Sequence, residues 1–166
     1  MHDLRDEIYW HLTDRDGLLL NNVRVGKGWF PSVSHFAKGE MANAVTPYSL
    51  KNARSEKERF WEEIRATQFD KLPSRINALF GFLSKDDAER AVREWFRGEE
   101  KLVVEIRVAK QAKTHLADAR HLDRHEPEWR NAAMDYWEGR VTEDPRPEVI
   151  IDGWVFFPGW EREPFG

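Results

Sequence analysis

Short runs in which hydrophobic and polar side chains alternate predict the strands of this protein. Residues 101–108, KLVVEIRV, place apolar side chains on one side and mostly charged ones on the other, which is typical of a half-buried strand. Residues 7–13 are rich in β-branched and aromatic side chains and predict a strand near the start of the chain. Residues 76–83 are almost continuously apolar, which predicts a strand buried on both faces.

Three other segments have the 3.6-residue period of amphipathic helices. The first runs from 53 to 67 and carries a narrow apolar stripe. The second begins at Ser84, which has an aspartate three residues later as in a capping box, and ends at Gly98. The third begins after Pro127 and ends at Gly139. We therefore expect about three helices.

The remaining segments predict loops and turns. Residues 21–47 contain glycines, prolines and little period, so we interpret them as mostly loop with short pieces of structure. Near the end, EVII and WVFF are separated by Asp152 and Gly153, which predicts a hairpin of two short strands. Because helices and strands do not alternate regularly, we expect one α+β domain over residues 1–166, with small mixed or antiparallel sheets.

Composition excludes several classes of protein. The formal net charge of −4 provides no broad positive field for nucleic-acid binding. The absence of cysteine excludes disulfides and thiolate chemistry, and no GxGxxG, P-loop or GxSxG motif is present. No apolar run approaches the roughly 20 residues of a membrane span, and residues 1–10 do not have the pattern of a secretory signal. We expect a soluble, cytoplasmic protein with no membrane partner.

Polar side chains that could carry chemistry stand next to three of the predicted strands. Side chains two apart on a strand share a face, and an arginine or carboxylate at a strand end is well placed to meet a ligand. Each also has an ordinary structural explanation, as a hydrogen-bonded histidine, an edge arginine or a solvated carboxylate. The candidates are His11 with Thr13, Ser74 with Arg75 and Asn77, and Glu148.

In this order the motifs resemble the ADP-ribosyltransferase fold, in its histidine-and-glutamate branch, which includes poly(ADP-ribose) polymerase-like enzymes and DNA-modifying toxins. The segment YWHLTDRDGLLLNN looks like the first strand of that fold with its following turn. The segment LFGFLSKDDAERAV looks like a later strand followed by a helix. The resemblance covers most of the chain and implies a split β architecture across residues 1–166.

The resemblance implies that NAD is bound and consumed as a substrate. His11 and Thr13 on the first strand would bind the dinucleotide, and His11 would form a hydrogen bond with a ribose hydroxyl. Arg75 would lie near the pyrophosphate or the substrate. The family's central tyrosine or serine motif has three candidates here, Ser74, Tyr48 and Tyr136. The implied NAD-binding residues are His11, Thr13, Tyr48, Ser74, Arg75 and Asn77.

The resemblance also implies that Glu148 is the catalytic residue. Cleavage of the nicotinamide–ribose bond develops positive charge on the ribose, and a carboxylate on the 2′-hydroxyl stabilises that charge. The same carboxylate could orient or deprotonate the acceptor, a protein or a nucleic acid. Small members of this branch are often bacterial or phage toxins and effectors, so an antitoxin or inhibitor is a further expected partner.

Two other enzyme classes have less support in the sequence. A metal-dependent hydrolase is suggested by HLADARHLDRHEPE, which contains His115, Asp118, His121, Asp123 and His125. This segment lacks an HExxH pattern and breaks at a proline, so we interpret it as a solvated charged loop or helix and predict no metal site. An NAD-using RNA 2′-phosphotransferase of the same fold would need more arginines and histidines than we can assign.

The main alternative is a non-catalytic nucleic-acid or protein-binding module. The chain has eight tryptophans, and we expect most of them to build the core because each buries a large area. Exposed rings at Trp29, Trp154 or Trp160 could instead stack on a flat ligand. Such a module would lose no function on Glu148→Gln, whereas a transferase would.

Overall fold

The computed structural model describes residues 2–15, 18–32 and 55–162, which form seven strands and four α-helices. The small α+β fold expected from the sequence is confirmed. The helices are α1 (Leu18–Val25), α2 (Glu56–Gln68), α3 (Lys85–Trp95) and α4 (Trp129–Glu138). The strands are β1 (Leu4–Asp14), β2 (Trp29–Pro31), β3 (Leu79–Gly81), β4 (Lys101–Ala109), β5 (Lys113–Asp118), β6 (Pro147–Asp152) and β7 (Trp154–Phe156).

The strands form two antiparallel sheets whose edges meet. The larger sheet has the order β1-β4-β7-β2 and the smaller one the order β3-β6-β5. Trp10 of β1 and Phe82, directly after β3, exchange two backbone hydrogen bonds of 2.9 and 2.7 Å. This contact joins the edge strand of one sheet to the edge strand of the other.

Elements that depend on local periodicity and capping form where the sequence predicts them. Strands β1 and β4 pair along most of their length, and β4 buries Val104, Ile106 and Val108 on one face. The side chain of Ser84 caps α3 by accepting a hydrogen bond from the backbone N–H of Asp87 at 3.0 Å. The helices predicted around Phe60, after Ser84 and after Pro127 are confirmed as α2, α3 and α4, although residue 53 lies outside the described residues.

The strand predicted over residues 76–83 is wrong in length and in position. Only Leu79–Gly81 is β3, and it lies at the edge of the smaller sheet. Ser74 accounts for the shortening, because its hydroxyl accepts from the backbone N–H of Ile76 and its carbonyl accepts from that of Asn77, which closes a turn. The strand that is buried on both faces is β6, at the centre of this sheet.

The predicted hairpin between residues 148 and 157 is also wrong. Strand β6 pairs with β3 and β5, whereas β7 pairs with β4 and β2 in the other sheet. Gly153 alone separates the two strands, which is shorter than a two-residue hairpin loop, and its φ of +147° is outside the range that most residues adopt. The chain therefore crosses from one sheet to the other at this glycine.

Two segments interpreted as loops contain regular structure. Residues 21–31, within the predicted loop, belong mostly to α1 and β2, while 33–47 lie outside the described residues. The histidine-rich segment begins within strand β5 and continues as a 3₁₀ helix, Ala119–Asp123, so its interpretation as a solvated loop or helix is wrong for 115–118. The polar side chains of this strand do not alternate with apolar ones as in a typical half-buried strand, because His115 and Asp118 form hydrogen bonds inside the fold.

The two faces of β6 pack against different layers, which decides where Glu148 lies. Val149 and Ile151 contact the core between the two sheets, whereas Ile150 contacts the core formed with α2 and α4. Because side chains alternate along a strand, Glu148 lies on the same face as Ile150, beneath α2 and α4. Trp61 and Trp137 are fully buried in that second core, as expected of core aromatics. In the described part of the chain, no helix is long and apolar enough to cross a membrane.

Candidate functional site

Four polar side chains meet beneath α2 and α4, and we call them the Arg75 cluster. Arg75 follows the break after α2, and Glu148 is the second residue of β6. The other two members come from helices, Glu58 from the first turn of α2 and Tyr136 from the last turn of α4. All four are buried, with exposed fractions of 3% for Arg75, 5% for Glu148, 8% for Glu58 and 0% for Tyr136.

The guanidinium of Arg75 divides its hydrogen bonds between the two carboxylates. Its Nε donates to Oε2 of Glu58 at 2.9 Å and its Nη2 to Oε1 at 2.9 Å, which is a bidentate pair. Its Nη1 donates to the Tyr136 hydroxyl at 2.6 Å and to Oε1 of Glu148. The guanidinium carbon also lies 5.0 Å from the centre of the Phe80 ring, within cation–π range.

Tyr136 completes the cluster as both acceptor and donor. Its hydroxyl accepts from Arg75 and donates to Oε1 of Glu148 at 2.6 Å. Burial raises the pKa of Tyr136 well above its ordinary value of 10.0, although the Arg75 charge opposes this shift. The phenol therefore keeps its proton and remains a donor to Glu148.

The two oxygens of Glu148 have different surroundings. Oε1 accepts from both Arg75 and Tyr136, whereas Oε2 receives no hydrogen bond from any described residue. The side chain is 6% exposed, so the carboxylate is held at one oxygen with little contact with solvent. Such a group can accept a hydrogen bond from a ligand hydroxyl without first breaking one of its own.

His11 is connected to this cluster through Phe80. Its Nδ1–H donates to the Phe80 carbonyl oxygen at 2.5 Å, so Nε2 is the unprotonated acceptor nitrogen of the neutral ring. Within the described ranges, no hydrogen bond reaches that Nε2. Burial lowers the pKa of His11, and the Phe80 carbonyl only partly offsets this effect. One face of Phe80 thus contacts Arg75 while its backbone holds His11.

The other candidates from the sequence are not joined to the cluster by described contacts. Thr13 is buried on β1, two residues after His11. Ser74 donates to Oε2 of Glu62 at 2.8 Å, and Asn77 is exposed in the turn before β3. Tyr48 lies outside the described residues.

Glu58 is the member of the cluster that sequence reasoning missed. It lies three residues after the helix cap Ser55, whose hydroxyl accepts from the Glu58 backbone N–H at 3.3 Å. A glutamate at this position is ordinarily the second half of a capping box. Its pairing with Arg75 has no local signal, because it depends on where the turn after α2 places that arginine.

The histidine-rich segment gives a metal site no support. The structure brings together no group of three histidine, aspartate or glutamate side chains suited to a metal within the described ranges. His115 donates to the Tyr136 carbonyl at 3.0 Å, and His121 donates to the Arg140 carbonyl at 2.8 Å. Burial lowers the pKa of His115, with opposing effects from that carbonyl and from the Glu148 charge.

The tryptophans considered for stacking are half-buried. Trp29 packs against Phe156, with ring centres 5.2 Å apart, and the His2 ring stacks on Trp154 at 5.2 Å. A surface cavity of about 360 Å³ lies elsewhere, between α2 and the start of α4, and includes Phe60 and Trp129. Neither His11 nor Glu148 lines it.

Comparison with protein-family models matches residues 16–157 to the family described as a protein of unknown function (DUF2441). The matched range contains the whole Arg75 cluster and begins after His11. No curated protein matches the chain.

Proposed function

The chain belongs to the DUF2441 family, and we propose that this member is an NAD-consuming ADP-ribosyltransferase that acts in the cytoplasm. One observation carries the proposal. Glu148 is a buried carboxylate whose Oε1 is held by Arg75 and Tyr136 while its Oε2 receives no hydrogen bond from the described residues. A carboxylate prepared in this way suits a ribose hydroxyl next to a developing positive charge.

In the proposed reaction the bond between C1′ of the ribose and the nicotinamide nitrogen breaks. Its electron pair leaves with neutral nicotinamide, and the ribose acquires oxocarbenium character. Glu148 accepts a hydrogen bond from the 2′-hydroxyl through Oε2 and stabilises the positive charge. A nucleophile of a protein or nucleic-acid acceptor then forms the new bond to C1′ and releases its proton to Glu148 or to water.

His11 would hold NAD through a ribose hydroxyl. Its Nε2 is an acceptor and its pKa is lowered by burial, so a neutral ring can accept from a ribose hydroxyl at physiological pH. Phe80 supports this arrangement because it contacts both His11 and Arg75. The bidentate pairing of Arg75 with Glu58 favours a role for Arg75 in holding Glu148 over one on the pyrophosphate.

The test is nicotinamide release from NAD by the purified protein and by Glu148→Gln, with and without cell lysate as a source of acceptor. We expect release by the wild type and a fall of about 10² to 10³ in the variant. Glu138→Gln, an equivalent change on the outer surface of α4, serves as the matched control and should keep full activity.

Absence of both release and NAD binding in the wild type would overturn the proposal and favour a non-catalytic binding module. A toxin or effector role, with an antitoxin or inhibitor as partner, belongs to the same proposal. It predicts that expression of the wild type arrests growth of a bacterial host, whereas expression of Glu148→Gln does not.

A further inference from the structure

Among the described residues, Arg75 has two carboxylate partners, and it does not divide its hydrogen bonds equally between them. Glu58 takes two of its nitrogens, Nε and Nη2, in a bidentate pair. Glu148 contacts only Nη1, which also donates to Tyr136. Bidentate pairing commits two of the three guanidinium nitrogens to Glu58, so Glu58 and Glu148 share the positive charge of Arg75.

This division leaves negative charge on Glu148. Two carboxylates and one guanidinium give these side chains one formal negative charge in excess. Arg75 therefore cannot neutralise both carboxylates, and Glu148, which it contacts through one nitrogen only, keeps part of the excess. A carboxylate that shares its counter-ion with a second carboxylate attracts a positively charged ribose more strongly than one with a counter-ion of its own, and burial strengthens that attraction.

Tyr136 controls the direction of the same carboxylate. Its phenol donates to Oε1 and is anchored in turn by Nη1 of Arg75. Its ring is fully buried in the core between α2, α4 and β6, so the hydroxyl has a fixed position. With Oε1 fixed from two directions, the plane of the carboxylate and the position of Oε2 are also fixed.

We infer that Glu58 and Tyr136 are positioning residues for Glu148: Glu58 shares the charge of Arg75 and so keeps Arg75 from neutralising Glu148 fully, and Tyr136 aims its Oε2 at the ribose. This inference rests on the proposed transferase activity. It assigns to neither residue a contact with NAD, so both should act on the rate of bond cleavage more than on NAD binding.

The experiment compares kcat and KM for nicotinamide release in Glu58→Gln and Tyr136→Phe. Glu58→Gln removes the charge that holds Arg75, and Tyr136→Phe removes only the hydroxyl that fixes Oε1. We expect kcat to fall about 10-fold to 100-fold in each, with KM for NAD within about twofold of the wild type. Circular dichroism and thermal unfolding establish the folded fraction to which each kcat is referred.

Two control variants separate positioning from general loss of a polar contact. Asp135→Asn removes a carboxylate that pairs with Arg124 and Arg140 on the neighbouring position of α4. Tyr9→Phe removes the hydroxyl of a half-buried tyrosine on β1. Both should keep the wild-type kcat.

The outcomes distinguish this inference from the proposed function. If Glu148→Gln is inactive while Glu58→Gln and Tyr136→Phe keep the wild-type kcat, the positioning roles are wrong and the transferase proposal stands. If the wild type releases no nicotinamide, both are wrong. Tyr136→Phe keeps the ring that packs in the core. Its kcat therefore tests the positioning of Glu148 even if Glu58→Gln does not fold.

Discussion

The hydroxyl of Tyr136 donates a 2.6 Å hydrogen bond to Oε1 of Glu148, and the same carboxylate oxygen accepts from Arg75. Tyr136 belongs to α4 and Glu148 to β6, the central strand of the smaller sheet. The bond therefore fixes a helix to a sheet at the point where the candidate catalytic group lies. A buried ion pair adds little net stability, but removal of one partner is costly.

Arg75→Met should destabilise the protein by about 3–5 kcal/mol, because it leaves Glu58 and Glu148 buried without their counter-ion. Chemical denaturation at neutral pH measures the loss. Arg90→Met is the matched control, since Arg90 is more exposed and pairs with Glu94 and Asp144 at the surface, where about 1 kcal/mol or less is expected. Equal losses in the two variants would contradict the assignment of the Arg75 cluster as buried.

His11 should make the protein less stable as the pH falls below about 6.5. Burial lowers the pKa of His11 from that ordinary value in the folded state, so the unfolded chain binds its proton first and acid favours unfolding. Above this range both states have a neutral ring and the effect is absent. His11→Gln keeps a donor for the Phe80 carbonyl and removes the titration.

Urea denaturation at pH 7.5 and 5.5 checks this prediction. We measure the difference in unfolding free energy between the wild type and His11→Gln at each pH. From pH 7.5 to 5.5 this difference should shift in favour of the variant, because only the wild type has a buried histidine that resists protonation in the folded state. His125→Gln, at an exposed position, controls for general effects of losing a histidine. An unchanged difference between pH 7.5 and 5.5 would show that His11 is not titrating as expected.

Gly153→Ala should destabilise the protein by more than about 3 kcal/mol. Gly153 has a φ of +147°, and a Cβ there would lie 2.6 Å from Cβ and 2.8 Å from Cα of Ala112. Gly98→Ala also introduces a side chain at positive φ, +78°, but meets nothing within 4 Å, so about 1 kcal/mol is expected. Thermal unfolding of the two variants separates the steric effect from backbone strain alone.

Asp118→Asn should cost on the order of 3 kcal/mol, because this buried carboxylate organises the chain that leads into β6. Its Oδ2 accepts from the N–H and the hydroxyl of Thr142, both at 2.7 Å, and its Oδ1 accepts from the N–H of Arg146 at 2.9 Å. An amide nitrogen cannot accept these bonds. Asp123→Asn, an exposed change on the 3₁₀ helix that follows Asp118, should change the unfolding free energy much less.

The sequence correctly predicted the helices and strands that are stabilised by interactions between residues close together in the chain. The cap at Ser84, the alternation along β4 and the glycine that ends α4 each act within a few residues, and all three appear in the structure. The prediction failed where local and distant interactions compete. Asp152 and Gly153 have the sequence of a hairpin turn, but pairing of β7 with β4 and β2 carries the chain to another sheet.

The candidate site divides in the same way. The pattern of polar side chains beside apolar strands was enough to select His11, Arg75 and Glu148, since it depends only on neighbouring residues. Their relationship depends on residues far apart in the chain, because Arg75 is 17 positions from Glu58, 61 from Tyr136 and 73 from Glu148. Hydrophobic periodicity and helix caps report only on residues close together in the chain, so they do not predict these contacts. The packing of α2 and α4 on β6 decides how Arg75 pairs with the two carboxylates and which oxygen of Glu148 is left for a ligand.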